Sequence, residues 1–484
     1  MKFLLIVPVA LPIILSILFR LLKLKEKKLH AASVISMLLT SALALCAAFV
    51  EGTGNFLIQW TDTLAFSLRA DGLSKLYLCL ISLIWPGVGL YAVEYLHHDK
   101  NPGRFFLFYG ITQGVLNGLA LSGNLVTYYL FYEAMTLLTV PLVLHNMDKE
   151  AVAASIKYLI YSVIGASAAL IGIFFVSSVG HTGDFAAGVL TAEQLAGKET
   201  LAMVIFMAML IGFSVKAGMF PLHGWLPTAH PVAPAPASAV LSGVITKMGV
   251  LGVVRVMYSV AGLERLRGSF VQYALLVLSL MTVLMGSLLA FKEKRLKKRL
   301  AYSSVSQVSY VLFGLFTMTE IGFVGAMLHV IFHSLMKNTL FMGAGAVIHK
   351  TEKTDVREMD GMGKRMPWTY AFFTIASLGL IGIPPTGGFI SKWNLAQGAL
   401  ATGIQGSWIG PVALLISAVL TAAYLLTLVI RGCFPGEENA LEEKCEVTWK
   451  MLLPMGVYAA LIVALGIFSG SMIQALSVLA AALM

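Results

Sequence analysis

Apolar runs of about 20 residues, long enough to cross some 30 Å of hydrocarbon as a helix, recur along the whole chain, and short segments between them hold most of the charge. In lipid a backbone must satisfy its own polar groups, so such runs can persist only as bundled helices. Hydrophobic residues make up 58% of the 484 and charged residues 12%, with a mean hydropathy of +0.85. A soluble domain is about a quarter charged, so the chain is expected to be an all-α integral membrane protein. The formal net charge of +10 would suit nucleic acid or an anionic partner. The basic residues, however, fall mostly in short inter-span loops, as membrane topology requires, and no nucleic acid partner is expected.

The runs predict about fourteen transmembrane helices. They lie near 3–22, 30–50, 72–95, 105–122, 124–145, 153–178, 201–221, 235–258, 270–291, 302–317, 321–348, 368–396, 408–430 and 452–482. No small-residue cleavage site separates the first run from the Lys23–Lys28 cluster, so it reads as an uncleaved span. Asn55 to Leu68 alternates apolar and polar residues and predicts a small extramembrane hairpin. Cys46, Cys79, Cys433 and Cys445 have no metal-type spacing, and neither a disulfide nor a cluster is inferred.

Loops one, three, nine and eleven are rich in lysine and arginine, with Lys100 and Arg104 in loop three and Lys292 to Arg299 forming loop nine. Loop eight, with Arg265 and Arg267, is the exception. Basic loops stay inside, so the odd loops are expected to be cytoplasmic and both termini to lie on the outer face of a bacterial or archaeal inner membrane.

Two spans are interrupted. The seventh carries Pro221 and Pro227, and the twelfth carries Gly382, Pro384, Pro385, Gly387 and Gly388. Proline removes a backbone donor and clashes with the preceding turn, a cost that lipid cannot relieve. Each interrupted span also holds one lysine, Lys216 or Lys392. Because the breaks are an odd number of spans apart, the second would enter the membrane upside down relative to the first. That pattern predicts two inverted five-helix repeats, each with a broken helix. The chain then divides into 1–103 (an N-terminal three-helix segment), 104–258 (spans 4–8), 259–430 (spans 9–13) and 431–484 (a loop and the last span). The plainer account is that proline and glycine are commoner in membrane helices generally.

Ionisable residues inside spans are costly, about 2.5–3.5 kcal/mol at the bilayer centre on insertion scales, and they mark polar paths. Glu133 lies near the middle of the fifth span, and Lys216 is its natural partner. A passing charge could make and break that pair, although a static structural ion pair would use the same residues. Lys247 sits halfway along span eight, too central to snorkel, whereas Lys157 near the start of span six fits snorkelling. His329, His333 and Lys337 stand at successive i, i+4 positions on one face of span eleven, the makings of a proton wire. His329 and His333 could also bind a metal, but no acidic or cysteine residue lies beside them to complete a site, so no metal is expected. A structural histidine pair bonded to carbonyls is the third reading. His230 ends the broken seventh span and would feed the path or cap the loop.

The stretch Lys216-Ala-Gly-Met-Phe-Pro-Leu-His-Gly-Trp-Leu-Pro-Thr-Ala-His230, followed by Ala-Pro-Ala-Pro-Ala-Ser-Ala-Val-Leu-Ser-Gly243 and Lys247, resembles the antiporter-like, proton-conducting subunit family. That family is shared by respiratory complex I (NADH:quinone oxidoreductase), Mrp-type cation/proton antiporters and membrane-bound energy-converting hydrogenases. Arg299-Leu-Ala-Tyr-Ser-Ser-Val-Ser-Gln307, His329 to Lys337 with the following Leu-Phe-Met-Gly-Ala-Gly, and Gly382-Ile-Pro-Pro-Thr-Gly-Gly carry the same resemblance. It covers about Asp71 to Lys392. The resemblance implies that Glu133 and Lys216 form a switching pair and that Lys247 is the central lysine. It makes His329, His333 and Lys337 a hydrated axis, and Lys392 the terminal lysine of a second half-channel.

Some members carry glutamate where Lys392 stands, and the long lateral helix of the largest complex I member is not expected after the fourteenth span. No quinone, flavin or iron–sulfur motif is present, so no cofactor is expected. The expected activity is translocation of H⁺, with Na⁺ exchange as a variant, in a complex with other membrane subunits, including further antiporter-like ones, and with lipid. A stand-alone cation/proton transporter and a membrane metalloenzyme are the rival readings.

Overall fold

The computed structural model describes residues 2–50, 54–61, 64–97, 99–434 and 443–484. Nearly all of it is helical. Strands Phe56–Gln59 and Ala65–Leu68 pair antiparallel with Phe56 opposite Leu68, the hairpin expected between Asn55 and Leu68. Residues 62 and 63 of its turn lie outside the described residues, as do 435–442 of the loop expected before the last span.

Among the described residues, nine helices are long and apolar enough to cross a membrane: Glu26–Phe49, Gly72–Tyr95, Leu125–Val143, Lys149–Ser178, Glu199–Ala217, Ala235–Ala261, Phe270–Lys292, Ile409–Cys433 and Trp449–Ile467. Several begin on a side chain that caps a free backbone N–H: Asp71, Asn124, Asp148 and Ser269 each accept from the residue three positions on. Shorter or more polar helices pack among them: Val7–Leu21, Pro102–Ala120, Leu296–Phe316, Glu320–Thr351, Pro367–Ile381, Gly387–Leu400 and Gly470–Leu483.

Burial separates a rim from a centre. Phe174, Leu415 and Val419 on rim helices are more than 60% exposed, as surfaces facing hydrocarbon should be. The apolar window of Ala235–Ala261 is wholly buried. In Glu320–Thr351 every residue from Gly322 to Val347 is buried except Ile331. These two central helices carry Lys247 and the His329–Lys337 series, which explains how polar side chains persist at membrane depth. They meet protein, not lipid.

The twelfth span is broken at the expected prolines, into Pro367–Ile381 and Gly387–Leu400. The expected boundaries shift in two places. The last span, expected as one run over 452–482, is two helices parted at Phe468 and Ser469. Loop nine shrinks, because the helix starts at Leu296 and absorbs Lys297, Lys298 and Arg299. Counting charges placed these residues in water. Arg299 is instead buried, its guanidinium donating to the carbonyls of Glu293 (2.8 Å) and Tyr424 (3.0 Å).

The two breaks share one local geometry. Helix Glu199–Ala217 ends on left-handed Gly218, whose N–H bonds to Val215 O, while Met219 N–H reaches Ser214 O. Helix Pro367–Ile381 ends on left-handed Gly382, whose N–H bonds to Gly379 O, while Ile383 N–H reaches Leu378 O. These are Schellman closures, and glycine suits them because a Cβ is strained at positive φ. In each, a proline follows the glycine by three residues, Pro221 or Pro385.

Helix Glu199–Ala217 crosses Lys149–Ser178 glycine on glycine. A Cβ on Gly165 would lie 2.6 Å from Gly212 O, and one on Gly212 would lie 2.5 Å from Gly165 O. Small residues let backbones approach in this way, and the crossing sets Ser162 against Lys216, one turn away on either helix. Gly165→Val is expected to destabilise the chain by about 1–3 kcal/mol, the usual cost of overpacking. Unfolding of the purified chain in mixed micelles should show it, with Gly470→Ala, whose added carbon meets nothing, as a milder comparison.

Candidate functional site

The site starts from an irregular turn. Leu241–Ile245, within Ala235–Ala261, is a π-helical segment, and it diverts the Thr246 N–H to Leu241 O. The Ser242 carbonyl then accepts from Thr246 Oγ1 (2.8 Å) and from Lys247 Nζ (2.5 Å). Gly243 lets the neighbouring helix come close, since a Cβ there would lie 1.9 Å from Asn338 Nδ2. This approach brings Lys247 Nζ to 2.6 Å from His333 Nδ1.

From Lys247 the polar groups continue across the bundle. The rings of His333 and His329 stack with centroids 5.8 Å apart. His329 Nδ1 lies 2.9 Å from Ser391 Oγ, and its Nε2 lies 3.2 Å from Gln307 Oε1. Ser391 precedes Lys392, and Lys392 Nζ donates to the carbonyls of Leu380 (2.6 Å) and Ile381 (2.9 Å). Those carbonyls close a helix C-terminus, where the peptide dipoles favour a cation. Tyr310 joins the two groups, its ring stacked on His329 at 5.6 Å and lying under Lys392 Nζ at 5.1 Å.

His329 is built to hold one proton or two. Ser391 Oγ also lies 3.1 Å from Gly388 O. A hydroxyl has one proton and two lone pairs. It can donate to His329 Nδ1 when that nitrogen is bare, or turn to Gly388 O and accept from Nδ1–H when the ring is charged. Both patterns keep the two ring nitrogens of His329 bonded.

Lys216 occupies a separate chamber. Its ammonium donates to Thr136 Oγ1, Tyr158 Oη and Ser162 Oγ, each at 2.9 Å, and lies 4.4 Å from the Tyr158 ring centroid. The expected Glu133–Lys216 ion pair is not formed. Glu133 is half-buried one turn before Thr136 on Leu125–Val143, and three hydroxyls already engage the three N–H donors an ammonium possesses.

His329, His333 and Lys337 were expected as one wire, and only the two rings follow each other. Lys247 takes His333 Nδ1, and Lys337 turns to helix Leu296–Phe316, donating to Leu300 O (2.9 Å) and Ser303 Oγ. His230 is fully buried and stacks on Phe341 at 4.6 Å, with no hydrogen-bond partner at either ring nitrogen. Lys157 lies over the Tyr161 ring at 5.8 Å. Among the described residues no group of three or more His, Cys, Asp or Glu side chains could hold a metal ion, so His329 and His333 have hydroxyl, amide and amine neighbours in place of further ligands.

Lys297 escaped the sequence reading. Its Nζ donates to Pro231 O (3.2 Å) and Ala233 O, the carbonyls that follow His230. It lines a cleft of about 620 Å³ with Asp99, Asp148 and Glu150 that opens among the odd-numbered loops. Ser391, Gln307, Tyr310, Thr136, Tyr158 and Ser162 were missed as well. They are ordinary span residues in sequence, and only the folded neighbours give them a role.

Fold and site together define a polytopic membrane protein with a buried line of amines and imidazoles. Residues 122–421 match the family described as NADH:quinone oxidoreductase/Mrp antiporter, transmembrane, and the chain belongs to that family. Residues 59–106 match the N-terminus of complex I chain 5. The chain is 30% identical to NADH-quinone oxidoreductase subunit N of Desulforudis audaxviator, over 92% of this chain and 90% of that one. It is 29% identical to an Na(+)/H(+) antiporter subunit of Alkalihalophilus pseudofirmus, over 96% and 94%. It is 31% identical to hydrogenase-4 component B of Escherichia coli, over 82% of this chain and 62% of that one. Its fold is shared with a chain of the Mrp complex from Dietzia sp. DQ12-45-1b (TM-score 0.86, 22% identity, covering 100% and 97%). It is shared too with a chain of respiratory complex I from Thermus thermophilus (TM-score 0.84, 23% identity, covering 99% and 98%).

The hydroxyl chamber makes a direct prediction. Ser162→Ala should destabilise the chain by about 1.5–3 kcal/mol, the worth of a hydrogen bond to a charged group. In a Lys216→Met background the same change should cost much less. Unfolding in mixed micelles across this double-mutant cycle measures the coupling, and additive effects would mean the ammonium does not depend on Ser162.

Proposed function

We propose that the chain is a proton-translocating, antiporter-like subunit of a multisubunit inner-membrane complex, either a complex I-like dehydrogenase, an energy-converting hydrogenase or an Mrp-type antiporter. The observation that carries this reading is the polar line from Lys247 through His333, His329 and Ser391 to Lys392, which links a central helix to the second broken one. Family membership and the relatives' names support the same class.

In this reading about fourteen spans cross the membrane, with both termini outside and the basic loops in the cytoplasm. Residues 104–258 and 259–430 form inverted repeats, and the matching Schellman closures at Gly218 and Gly382 support that relation. The segments 1–103 and 431–484 flank them. Breaks at Pro221, Pro227, Pro384 and Pro385 give each repeat a discontinuous helix, the element that builds ion sites at mid-membrane in transporter folds.

Protons enter from the cytoplasmic cleft beside Lys297, pass His230 and Lys337, and reach Lys247. Buried ring nitrogens that lack protein partners, both on His230 and Nε2 on His333, are natural contact points for internal water along this route. From Lys247 the proton moves to His333, then His329, then Lys392 and outward. Ser391 rotates to match the charge of His329.

The Lys216 chamber gates the line electrostatically. In the present geometry its ammonium is held by hydroxyls, away from Glu133. Movement toward Glu133 would screen its charge and ease loading of Lys247, and return would drive the proton onward. Two unit charges about 10 Å apart at an effective dielectric of 20 repel by about 1.7 kcal/mol, more than a tenfold change in occupancy. The carried ion is H⁺, with Na⁺ exchange as the variant for an antiporter parent.

Glu133→Gln and Lys216→Ala are expected to abolish coupled proton movement in membranes holding the assembled complex, with its subunits still present by mass spectrometry. Near-normal pumping in both would defeat the assignment. Reconstitution of the wild-type chain alone should give no pH gradient in response to a Na⁺ gradient; robust antiport would establish the stand-alone transporter instead.

A further inference from the structure

A second polar pocket lies far from the relay, between helices Val7–Leu21 and Pro102–Ala120. It holds about 200 Å³ and is lined by Arg20, Lys23, Lys100, Asn101, Gly103 and the single carboxylate of Glu26, among others. Helix Pro102–Ala120 opens into it without a side-chain cap, so its first N–H groups present partial positive charge. Arg20 is drawn to this same end: a Cβ on Gly103 would lie 3.2 Å from Arg20 Nη1.

Arg20, Lys23 and Lys100 are exposed beside this positive helix end, and with the one carboxylate of Glu26 among them they make a patch of net positive potential that attracts an anion. Among the described residues Arg20, Lys23 and Lys100 make no ion pair. Asp99, the nearest acid in the loop, is already used by His145 (3.1 Å) and by the Asn101 N–H (2.8 Å).

The pocket's surroundings say what kind of anion. It opens beside the lipid-facing side of Val7–Leu21, where Ile14 (60%), Leu18 (41%) and Leu21 (72%) are exposed. Leu24, Phe106 and Leu107 add apolar lining below the charges. A ligand with a phosphate head and hydrocarbon tails matches both parts. About 200 Å³ admits the phosphate with a few waters of about 30 Å³ each. We propose that this pocket binds the phosphate of an anionic phospholipid at the basic-loop face, with Arg20, Lys23, Lys100 and the Gly103 N–H as its ligands. Loops one and three therefore do more than set topology: they grip a lipid next to the turn that carries Asp99 to the rim of the uptake cleft.

The test uses the purified full-length chain in detergent, with native mass spectrometry counting retained lipid. Phosphatidylglycerol should be retained at least about tenfold more strongly than phosphatidylcholine, since two to three charge contacts of about 1 kcal/mol each act on the anion. Arg20→Gln/Lys100→Gln should reduce phosphatidylglycerol to the phosphatidylcholine level. Lys27→Gln/Lys28→Gln, which removes the same charge outside the pocket, should leave it unchanged. Equimolar inorganic phosphate should not displace the lipid. Retention by the Arg20/Lys100 variant, equal loss in the Lys27/Lys28 control, or displacement by free phosphate would each overturn the proposal, the last by making it a soluble-anion site.

Discussion

An amine inside hydrocarbon must be met by acceptors, and no lipid tail supplies one. Four lysines inside the spans answer that requirement. Lys216 is met by three hydroxyls, Lys247 by a carbonyl and an imidazole, Lys337 by a carbonyl and a hydroxyl, and Lys392 by two carbonyls. Regular helices keep most of their carbonyls occupied, so the carbonyls that meet Lys247 and Lys392 come from places where regularity fails, while Lys337 shares Leu300 O within helix Leu296–Phe316. The π-turn before Lys247 frees Ser242 O, and the end of helix Pro367–Ile381 frees Leu380 O and Ile381 O. The breaks are thus sources of lone pairs at membrane depth, which is why proline and glycine gather beside the lysines.

The two breaks resemble each other more closely than their lysines do. Counted from the left-handed glycine, Lys216 stands two residues before Gly218, while Lys392 stands ten residues after Gly382. The position matching Lys216 is Leu380, and it is the Leu380 carbonyl that receives the Lys392 ammonium. One break carries its amine on the first half-helix. The other brings an amine from the second half-helix to the equivalent carbonyl. A lysine beside the break is common to both, although its ammonium goes to hydroxyls of other helices in one and to the break's own carbonyls in the other.

Much of this was legible in sequence because hydropathy and proline act locally. The apolar runs located the helices, and the hairpin at Asn55–Leu68 followed from alternation. Lys247, His329 and His333 were visible as ionisable residues in otherwise apolar runs. What was hidden depends on rotamers and partners from distant spans. Spacing put Lys337 on the face of His329 and His333, yet it could not reveal that Lys247, 86 residues before His333, would claim that ring first. Charge counting assigned Lys297 and Arg299 to water because it ignores how far a long side chain reaches to find a carbonyl. Ser391 and Tyr310 gave no signal, since serine and tyrosine are common in spans and mean nothing until a histidine faces them.

The geometry also constrains how the proposed gate at Lys216 would work. Its three donors point to hydroxyls on Leu125–Val143 and Lys149–Ser178, and none points to the line that begins at Lys247. The two amines are carried by helices in close contact, for a Cβ on Gly249 would lie 3.0 Å from Lys216 Cβ. Aromatic rings of Tyr132, Tyr158 and Trp225 surround the Lys216 ammonium, with centroids 4.4–5.8 Å away, and face-on rings favour a cation without giving or taking a proton. A group so placed is poorly suited to pass protons and well suited to hold charge. On the proposed reading, coupling between the chamber and the line runs through the field of the ammonium, which is screened less in this interior than it would be at the surface. Its strength is set by displacements of a flexible side chain among fixed hydroxyls, so small motions of helix Leu125–Val143, which carries both Glu133 and Thr136, are enough to change it.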